Sequence, residues 1–150
     1  MLLPPISHQP QHNDGECLAA CAKMVLDYLY HPVSYQQLVK QLQIGQAGAP
    51  FRNLRHLERL GVTVLIKQGN ISDIHNCLEQ NIPPIVFVDT SELSYWSEQT
   101  NHAIVVAGIT DDTIYLYDPA FQTAPQSVSI AEFDLAWLEM DEFYGVIRRR

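Results

Sequence analysis

Apolar residues recur at intervals of three and four after residue 16, a spacing typical of an α-helix with one buried face. The residues on this face are Leu18, Cys21, Ala22, Val25 and Leu29. The pattern predicts a helix from Cys17 to about Tyr30. The helix is expected to end at His31, because a residue before proline avoids the helical conformation.

Two further helices are expected before residue 62, where the helical pattern gives way to a strand pattern. Ser34 is a good N-cap residue for the first of them, from Tyr35 to about Leu42. The second extends from about Phe51 to Leu60. Gly61 closes it, since glycine readily adopts the left-handed conformation found at helix C-termini.

From residue 62 onwards, short apolar runs and alternating positions indicate strands. The predicted strands are Val62–Ile66, Ile85–Val88, His102–Ile109, Thr113–Tyr117, Gln126–Ser129 and Phe143–Ile147. A fourth helix opens at Ser72, and a fifth extends from about Ala131 to Leu138. Because helices dominate the first half and strands the second, we expect an α+β fold rather than alternating strand–helix units.

The composition is that of an ordinary globular protein, with 47% hydrophobic and 17% charged residues, and the 150 residues suit a single domain, 1–150. The net charge of -8 argues against a nucleic-acid-binding surface, and Arg148 to Arg150 is interpreted as a solvated tail. The N-terminus lacks the features of a signal peptide, and no apolar run reaches membrane-spanning length. We therefore expect a soluble, cytoplasmic protein with no membrane segment and no nucleic-acid partner.

Cys17 lies where a polar stretch, Gln11 to Glu16, gives way to the first apolar helix. Asn13 and Asp14 are good N-cap residues, so Cys17 is expected in the first helical turn. Unpaired N–H groups and the helix dipole favour negative charge there, which lowers a thiol pKa and raises the thiolate fraction. Cys17 is therefore a candidate nucleophile, although on its own it fits a small buried apolar residue equally well.

His102 opens a predicted apolar strand, and Asp118 ends the next one. An antiparallel hairpin would place this imidazole beside this carboxylate, an arrangement that orients a catalytic base and stabilises its cation. Side chains alternate along a strand. The two therefore share a face only if Ile104 lies opposite Asp118. We predict this register, with Thr110 to Asp112 as a three-residue loop or with a bulge that restores the parity, and with both side chains facing Cys17. A two-residue loop without a bulge would put them on opposite faces. Either residue alone is more often structural than catalytic.

The remaining histidines and cysteines show no metal-ligand spacing, so we expect neither a metal nor a cofactor. Cys21 and Cys77 are interpreted as packing residues, and an odd number of cysteines does not suggest a disulfide framework. The other histidines are expected at the surface. Tyr95 and Trp96 lie in a polar segment, Ser91 to Thr100, where they either line a cleft or pack back on the core.

Several stretches, in this order, carry a resemblance to a known family. Gln11 lies six residues before Cys17, which begins a helix of small side chains. Later, His102 to Gly108 and Tyr115 to Pro119 are similar to the family's histidine and aspartate strands. Other similar stretches are Gly48–Pro50, Leu57–Gly61 and Glu132–Phe133 with Trp137. Over nearly its whole length the chain resembles the bacteriocin-processing double-glycine leader peptidases and their standalone relatives, a branch of the papain-like cysteine peptidases.

The resemblance implies a papain-like α+β fold, with the helical N-terminal half packed on a C-terminal antiparallel sheet. It implies that Cys17 is the nucleophile and that His102 is the general base and acid. Asp118 would orient His102, and Gln11 would donate its side-chain amide to the oxyanion. The expected partner is a peptide or protein substrate cut after small residues such as Gly. Any transporter involved would be a separate chain.

Leu18 stands where the family usually has glycine, so we expect a narrow cleft that prefers Gly or Ala before the scissile bond. The same acyl-thioester chemistry also serves acyl transfer to an amine or thiol and deamidation of glutamine, and the sequence does not separate these reactions from hydrolysis. A peptide-binding module without turnover is a further alternative. The intact set of four candidate residues argues against it.

Overall fold

The computed structural model describes all residues from Met1 to Arg150. Its helices are α1 (Cys17–Tyr28), α2 (Tyr35–Gln41), α3 (Ile71–Glu79) and α4 (Ile130–Leu138), with 3₁₀ segments at Phe51–Leu60 and Thr90–Glu92. Its strands are β1 (Val62–Gln68), β2 (Ile85–Asp89), β3 (Asn101–Ile109), β4 (Thr113–Tyr117), β5 (Gln126–Ser129) and β6 (Phe143–Arg149). None of the helices has the length and apolar character required to cross a membrane.

The six strands form one sheet in the order β1-β6-β2-β3-β4-β5, and all neighbouring pairs are antiparallel. The last strand of the chain, β6, therefore lies between β1 and β2. Helices come first and strands dominate the second half, so the predicted α+β class is confirmed. The third helix of the sequence prediction, Phe51–Leu60, has 3₁₀ geometry instead of α geometry.

Two hydrophobic cores lie on the two faces of the sheet. One contains 22 buried residues and is built around α1, and the other contains 19 and includes the buried faces of α3 and α4. Alternate residues of β3 belong to the two cores, for example Ala103 and Val105 to the first and Ile104 and Val106 to the second. This explains why β3 has a continuous apolar sequence.

The hairpin of β3 and β4 has the predicted register next to the candidate site. Val105 lies opposite Tyr117. One step further out, this register places Ile104 opposite Asp118. His102 and Asp118 are therefore on the same face of the sheet, as the sequence predicted.

The turn end of the same hairpin differs from the preferred prediction. Ile109 lies opposite Ile114, and the N–H of Thr110 donates to the Thr113 carbonyl at 2.8 Å, which leaves a two-residue turn. The predicted three-residue loop is wrong. A bulge between Val106 and Gly108 restores the parity, as the alternative form of the prediction required.

The first residues of the chain pair with β3 beside this bulge. The Leu3 N–H donates to the Ala107 carbonyl at 2.9 Å, and the Ile109 N–H donates to the Met1 carbonyl at 2.8 Å. A Cβ atom at Gly108 would lie 2.9 Å from the Met1 carbonyl oxygen. Gly108 thus allows the N-terminal segment to approach the bulged strand. This segment pairs with the part of the β3 edge that lies beyond the end of β2.

The predicted cap of α1 is wrong. Its N-cap residue is Glu16, whose side chain makes no capping hydrogen bond, and neither Asn13 nor Asp14 occupies that position. The Glu16 carboxylate instead accepts hydrogen bonds from Asn13 and Tyr35. The N-terminus of α1 is consequently left without a side-chain cap.

The ends of the next helices follow ordinary capping chemistry. Ser34 caps α2 as predicted, accepting from the Gln37 N–H. The start of α3 is Ile71 and not Ser72, because Asn70 caps it in a reciprocal capping box with Asp73.

The basic C-terminus is not a free tail. Arg149 belongs to β6, and its guanidinium donates to the carbonyls of Leu29 at 3.1 Å and Tyr30 at 3.4 Å. These carbonyls lie just beyond the C-terminus of α1, where a cation is electrostatically favoured. Arg148 donates to Gln80 Oε1 at 3.0 Å and Arg150 to the Glu58 carbonyl at 2.8 Å. The interpretation of Arg148 to Arg150 as a solvated tail is therefore corrected, because the three side chains are exposed but hydrogen-bonded to the fold.

Candidate active site

Cys17 is the first residue of α1 and is partly buried beside β3. Its Sγ accepts a hydrogen bond from the Ala103 N–H at 3.5 Å. The N–H of Leu18, in the first helical turn, also stabilises the thiolate. The helix N-terminus and the start of β3 thus meet at the thiol. Cys17 lies in the first helical turn, as the sequence predicted.

Tyr35 of α2 holds the loop that leads to Cys17. Its hydroxyl donates to Glu16 Oε1 at 2.8 Å and accepts from the His12 N–H at 3.1 Å. Its ring stacks on the His12 imidazole with centroids 3.9 Å apart. These contacts fix both ends of the segment between His12 and Glu16, directly before the nucleophile. The sequence marks Tyr35 only as the start of the second helix and does not link it to this loop.

His102 and Asp118 form a buried pair at the same end of the sheet. His102 is 3% exposed and Asp118 is 0% exposed, and His102 Nε2 lies 2.6 Å from Asp118 Oδ1. The other ring nitrogen, Nδ1, is not engaged by Asp118, and His102 and Cys17 lie near enough for each to shift the pKa of the other. The predicted imidazole–carboxylate contact is present.

Tyr95 and Trp96 complete the surroundings of the aspartate. Both donate to Asp118 Oδ2, the Tyr95 hydroxyl at 2.8 Å and the Trp96 indole N–H at 2.9 Å. The Ala120 N–H donates to Oδ1 at 3.0 Å. The Trp96 ring also meets the His102 imidazole edge to face, with centroids 4.9 Å apart. The sequence suggested that these aromatic residues line a cleft or pack on the core; it did not link them to Asp118.

The electrostatics favour an ion pair of thiolate and imidazolium. Burial alone would raise the pKa of Cys17, but its interaction with His102, together with the N–H groups of Ala103 and Leu18, outweighs burial and lowers that pKa. Burial alone would lower the pKa of His102, yet its hydrogen bond to Asp118 and its interaction with Cys17 raise the pKa to about 9.

The same balance keeps Asp118 ionised. Burial opposes its charge, but His102, the Ala120 N–H and Trp96 lower its pKa. Cys21, one turn after Cys17, is fully buried, and burial raises its pKa well above the ordinary value. The two neighbouring cysteines therefore differ sharply in thiolate character.

Gln11 lies on the loop before Cys17 and is tied to the segment after Asp118. Its backbone N–H donates to the Pro119 carbonyl at 2.8 Å. Its Oε1 atom is buried without a hydrogen-bond partner. Nearby, the Nε2 atom of His8 lies 2.7 Å from the Phe121 carbonyl oxygen. Residues 8–11, which precede the Cys17 loop, thus hold the loop that follows β4.

Two adjoining surface depressions flank the candidate site and share Asp14, Gly15 and Thr100. The first, of about 460 Å³, contains Cys17 and is also lined by Leu18, Phe87, Asn101 and the segment 46–49. The second, of about 610 Å³, contains Gln11 and is also lined by His12, Asn13, Ala120, Phe121 and the segment 95–99. An open path therefore extends across the nucleophile.

The first depression has a wall of small residues. Gly15 and Gly48 both have positive φ, and a Cβ at Gly15 would lie 2.9 Å from the Gly48 nitrogen. Only glycine fits this close approach of the two loops. The Leu18 side chain is 2% exposed and belongs mainly to the core around α1. Leu18 is nevertheless among the residues that line the depression, together with Phe87 and residues 46–49, and its effect on the width of the cleft stays a prediction.

The remaining histidines are scattered over the fold. His75 is exposed and pairs with Glu79 at 2.8 Å, whereas His31 is partly buried, with its Nε2 atom 2.7 Å from the Leu60 carbonyl oxygen. No group of three or more His, Cys, Asp or Glu side chains is arranged to hold a metal ion. All three cysteines are free.

Comparison with known proteins identifies the same family that the residues resemble. The family model described as Peptidase C39 family matches residues 6–140. A search of curated protein sequences finds no match.

Several solved structures have the same fold at low sequence identity. One is a double glycine motif protease from an AMS/PCAT transporter in complex with the leader peptide, with 18% identity, a TM-score of 0.78, and coverage of 99% of this chain and 94% of that chain. Another is described as a C39-like peptidase from Bacillus anthracis, with 13% identity, a TM-score of 0.83, and coverage of 99% and 98%. The peptidase domain of Streptococcus ComA, a bifunctional ABC transporter involved in a quorum-sensing pathway, has 16% identity, a TM-score of 0.80, and coverage of 97% and 100%.

Proposed function

The chain belongs to the peptidase C39 family of cysteine peptidases, and on that premise we propose that residues 1–150 form one catalytic domain that hydrolyses a peptide bond with Cys17, His102, Asp118 and Gln11. The observation that carries the proposal is the placement of three groups: the Cys17 thiol lies at the N-terminus of α1 and accepts from the Ala103 N–H, and the adjacent His102 has its Nε2 atom 2.6 Å from the buried Asp118 carboxylate.

In the first step, the Cys17 thiolate attacks the carbonyl carbon of the scissile bond. Its lowered pKa supplies the thiolate without a separate deprotonation, because the imidazolium of His102 already holds the proton. The carbonyl π electrons move to the oxygen, which becomes an oxyanion in a tetrahedral intermediate. Asp118 accepts from His102 Nε2 and so keeps Nδ1 directed towards the reaction.

The oxyanion requires hydrogen-bond donors in fixed positions. We assign this role to the Gln11 side-chain amide and the Cys17 backbone N–H, which comes first in α1 and has no capping side chain near it. One preorganised donor of this kind is commonly worth about 10²–10³ in rate. Gln11 suits the role because its loop is tied to Pro119 and its side chain lines the path beside the nucleophile.

Collapse of the intermediate re-forms the carbonyl and breaks the carbon–nitrogen bond. The proton moves from His102 Nδ1 to the departing nitrogen, leaving a thioester on Cys17 and a neutral imidazole. Water then attacks the thioester carbonyl while His102 accepts its proton. The carbon–sulfur bond breaks, the acid product leaves, and the thiolate–imidazolium pair is restored.

The two depressions suggest how the peptide lies. His102 must reach the departing nitrogen, so the segment after the scissile bond is assigned to the second depression, where Trp96 contacts the imidazole. The segment before it is assigned to the first depression, where the larger side chains of Leu18 and Phe87 are proposed to restrict the residue next to the scissile bond to Gly or Ala. We propose a leader-like peptide ending in two glycines as the substrate, delivered by a separate protein or transporter chain.

The test is cleavage of synthetic peptides with a leader-like segment, a Gly-Gly pair and a short following sequence, analysed by mass spectrometry. Cleavage after the second glycine is expected for the parent protein and for Cys77→Ala, a control that removes a thiol from the other core. Cys17→Ala is expected to give no cleavage. A product carrying a free carboxylate identifies hydrolysis.

The proposal is overturned if the parent leaves every peptide intact over a series with Gly, Ala, Phe and Arg before the scissile bond. It is equally overturned if Cys17→Ala cleaves at the parent rate. Efficient cleavage after Phe or Arg would retain the peptidase and reject the assignment of small residues to the first depression.

A further inference from the structure

The segment between β2 and β3 is held at its base by one buried hydroxyl. Thr90 is 0% exposed, and its Oγ1 donates to the Glu98 carbonyl at 2.8 Å and accepts from the Thr100 N–H at 2.8 Å. The Thr90 N–H donates to the Thr100 carbonyl at 3.0 Å. The two ends of this segment are thereby fastened together, beside the first residues of β3.

A second set of contacts fixes the middle of the segment. Glu132 of α4 accepts hydrogen bonds from both the N–H and the hydroxyl of Ser94, each at 2.9 Å. The Trp96 N–H donates to the Leu93 carbonyl at 3.0 Å, and the Leu93 side chain is buried in the core around α4. The residues before and after Tyr95 are therefore tied to rigid elements.

From this base, Tyr95 and Trp96 reach the far oxygen of Asp118. A carboxylate has about four lone-pair positions, and four donors surround this one: His102 and Ala120 on Oδ1, and Tyr95 and Trp96 on Oδ2. Rotation of the carboxylate would break at least two of these bonds. The donors on Oδ2 thus dictate which oxygen faces His102.

The two aromatic rings also close the space around the His102–Asp118 contact. Trp96 meets the Phe121 ring at an interplanar angle of 89° and the His102 ring at 66°, and Tyr95 packs edge-on against Phe121. Removing water from a charged hydrogen bond strengthens its electrostatic attraction. The aromatic cluster and the two donors therefore act on the same contact.

We propose, resting on the function proposed above, that Tyr95 and Trp96 are positioning residues that act through Asp118 to hold His102 in its catalytic orientation. Neither residue donates to the substrate in this role. Their contribution disappears when the carboxylate they hold is removed, which separates positioning from simple support of the fold.

The test uses Tyr95→Phe and Trp96→Phe, which keep an aromatic ring at each position and remove one donor each, alone and combined with Asp118→Asn. Each single variant is expected to lower kcat roughly 10-fold, the scale of a hydrogen bond to a charged group, with KM changed less than about 2-fold. In the Asp118→Asn background, either change is expected to alter kcat by less than about 2-fold. Tyr115→Phe, a hydroxyl removed from β4 away from Asp118, is the matched control and is expected to retain the parent kcat.

A second readout needs no peptide substrate. Iodoacetamide alkylation of Cys17 at pH 6 is expected to slow in both single variants, because a carboxylate free to rotate stabilises the imidazolium and hence the thiolate less well. This readout separates the present proposal from the peptidase proposal. The positioning role is overturned if neither variant changes alkylation or kcat, or if the losses are the same with and without the Asp118 carboxylate.

Discussion

The two sides of the candidate active site are built in different ways. The nucleophile side comes from one continuous stretch, residues 11–17, which ends as α1 begins. The base side is assembled from β3, the residue after β4, and the segment between β2 and β3. One side is local in sequence, and the other depends on strand pairing across the whole second half.

The two sides also differ in how their polar groups are satisfied. Cys17 Sγ accepts one backbone N–H, at 3.5 Å. Asp118, by contrast, accepts from four donors within 3.0 Å. The thiol proposed to react with substrate thus remains open, whereas the carboxylate proposed to hold His102 is saturated.

The largest effect expected from breaking the base side is that of His102→Gln. Loss of the general base and acid should lower kcat/KM by about 10⁴-fold. The matched control is His75→Gln, which removes an exposed imidazole from α3 and should leave the steady-state rate unchanged. Retention of more than about a tenth of the parent kcat/KM would mean that another residue moves the proton.

On the nucleophile side, Gln11→Ala should lower kcat by roughly 10²-fold through loss of an oxyanion donor. The fold and the alkylation of Cys17 should be retained, because Gln11 is tied to Pro119 through its backbone. Gln9→Ala, a change within residues 8–11, is the control. An unchanged kcat for Gln11→Ala would reject Gln11 as the donor.

A pH profile of kcat/KM tests the electrostatic coupling between His102 and Asp118. Because Asp118 and Cys17 raise the pKa of His102 to about 9, kcat/KM should decline as pH rises through that value and the imidazolium loses its proton. Asp118→Asn removes a cause of the raised pKa, so its alkaline decline should begin at lower pH. An alkaline decline at the same pH in both proteins would contradict the coupling.

A smaller effect is expected where the nucleophile loop is anchored. Tyr35→Phe removes the hydroxyl that joins Glu16 to the His12 N–H, which should cost about 1 kcal/mol in the free energy of unfolding and a few-fold in kcat. Tyr30→Phe is the control, since the Tyr30 side chain is 85% exposed. Denaturant unfolding and steady-state kinetics measure both quantities. A Tyr35→Phe protein with parent stability would show that stacking on His12 alone holds the loop.

The local side was the easier one to predict from the sequence. Short-range signals mark these helix ends: polar residues give way to helical apolar spacing at Cys17, Ser34 begins one helix and Gly61 ends another. The observed helix ends are close to those predicted. The cap of α1 was misassigned because Asn13 and Asp14 have favourable side chains. In the structure, Asn13 hydrogen-bonds with the Glu16 carboxylate instead.

The base side was predicted only in part. For His102 and Asp118 to meet, alternation along β3 and β4 required Ile104 to lie opposite Asp118, and this register was predicted correctly. The alternation did not reveal that a bulge before Gly108 compensates for a two-residue turn. The bulge lies where the N-terminal residues pair with β3, and that contact joins residues far apart in the sequence. Likewise, Tyr95 and Trp96 carried only the signal of aromatic residues in a polar segment. Their contact with Asp118 depends on how that segment is fastened at Thr90.

The most direct test of the central claim compares the three thiols of one protein. Iodoacetamide alkylation of the folded protein, followed over pH and mapped by mass spectrometry, reports the thiolate fraction of each cysteine. Cys17, whose pKa is lowered by His102, should be modified well below the ordinary thiol range, whereas burial raises the pKa of Cys21 and Cys77 and both should react only after unfolding. Modification of Cys21 or Cys77 first, or a Cys17 rate that rises only near the ordinary thiol pKa, would contradict the account.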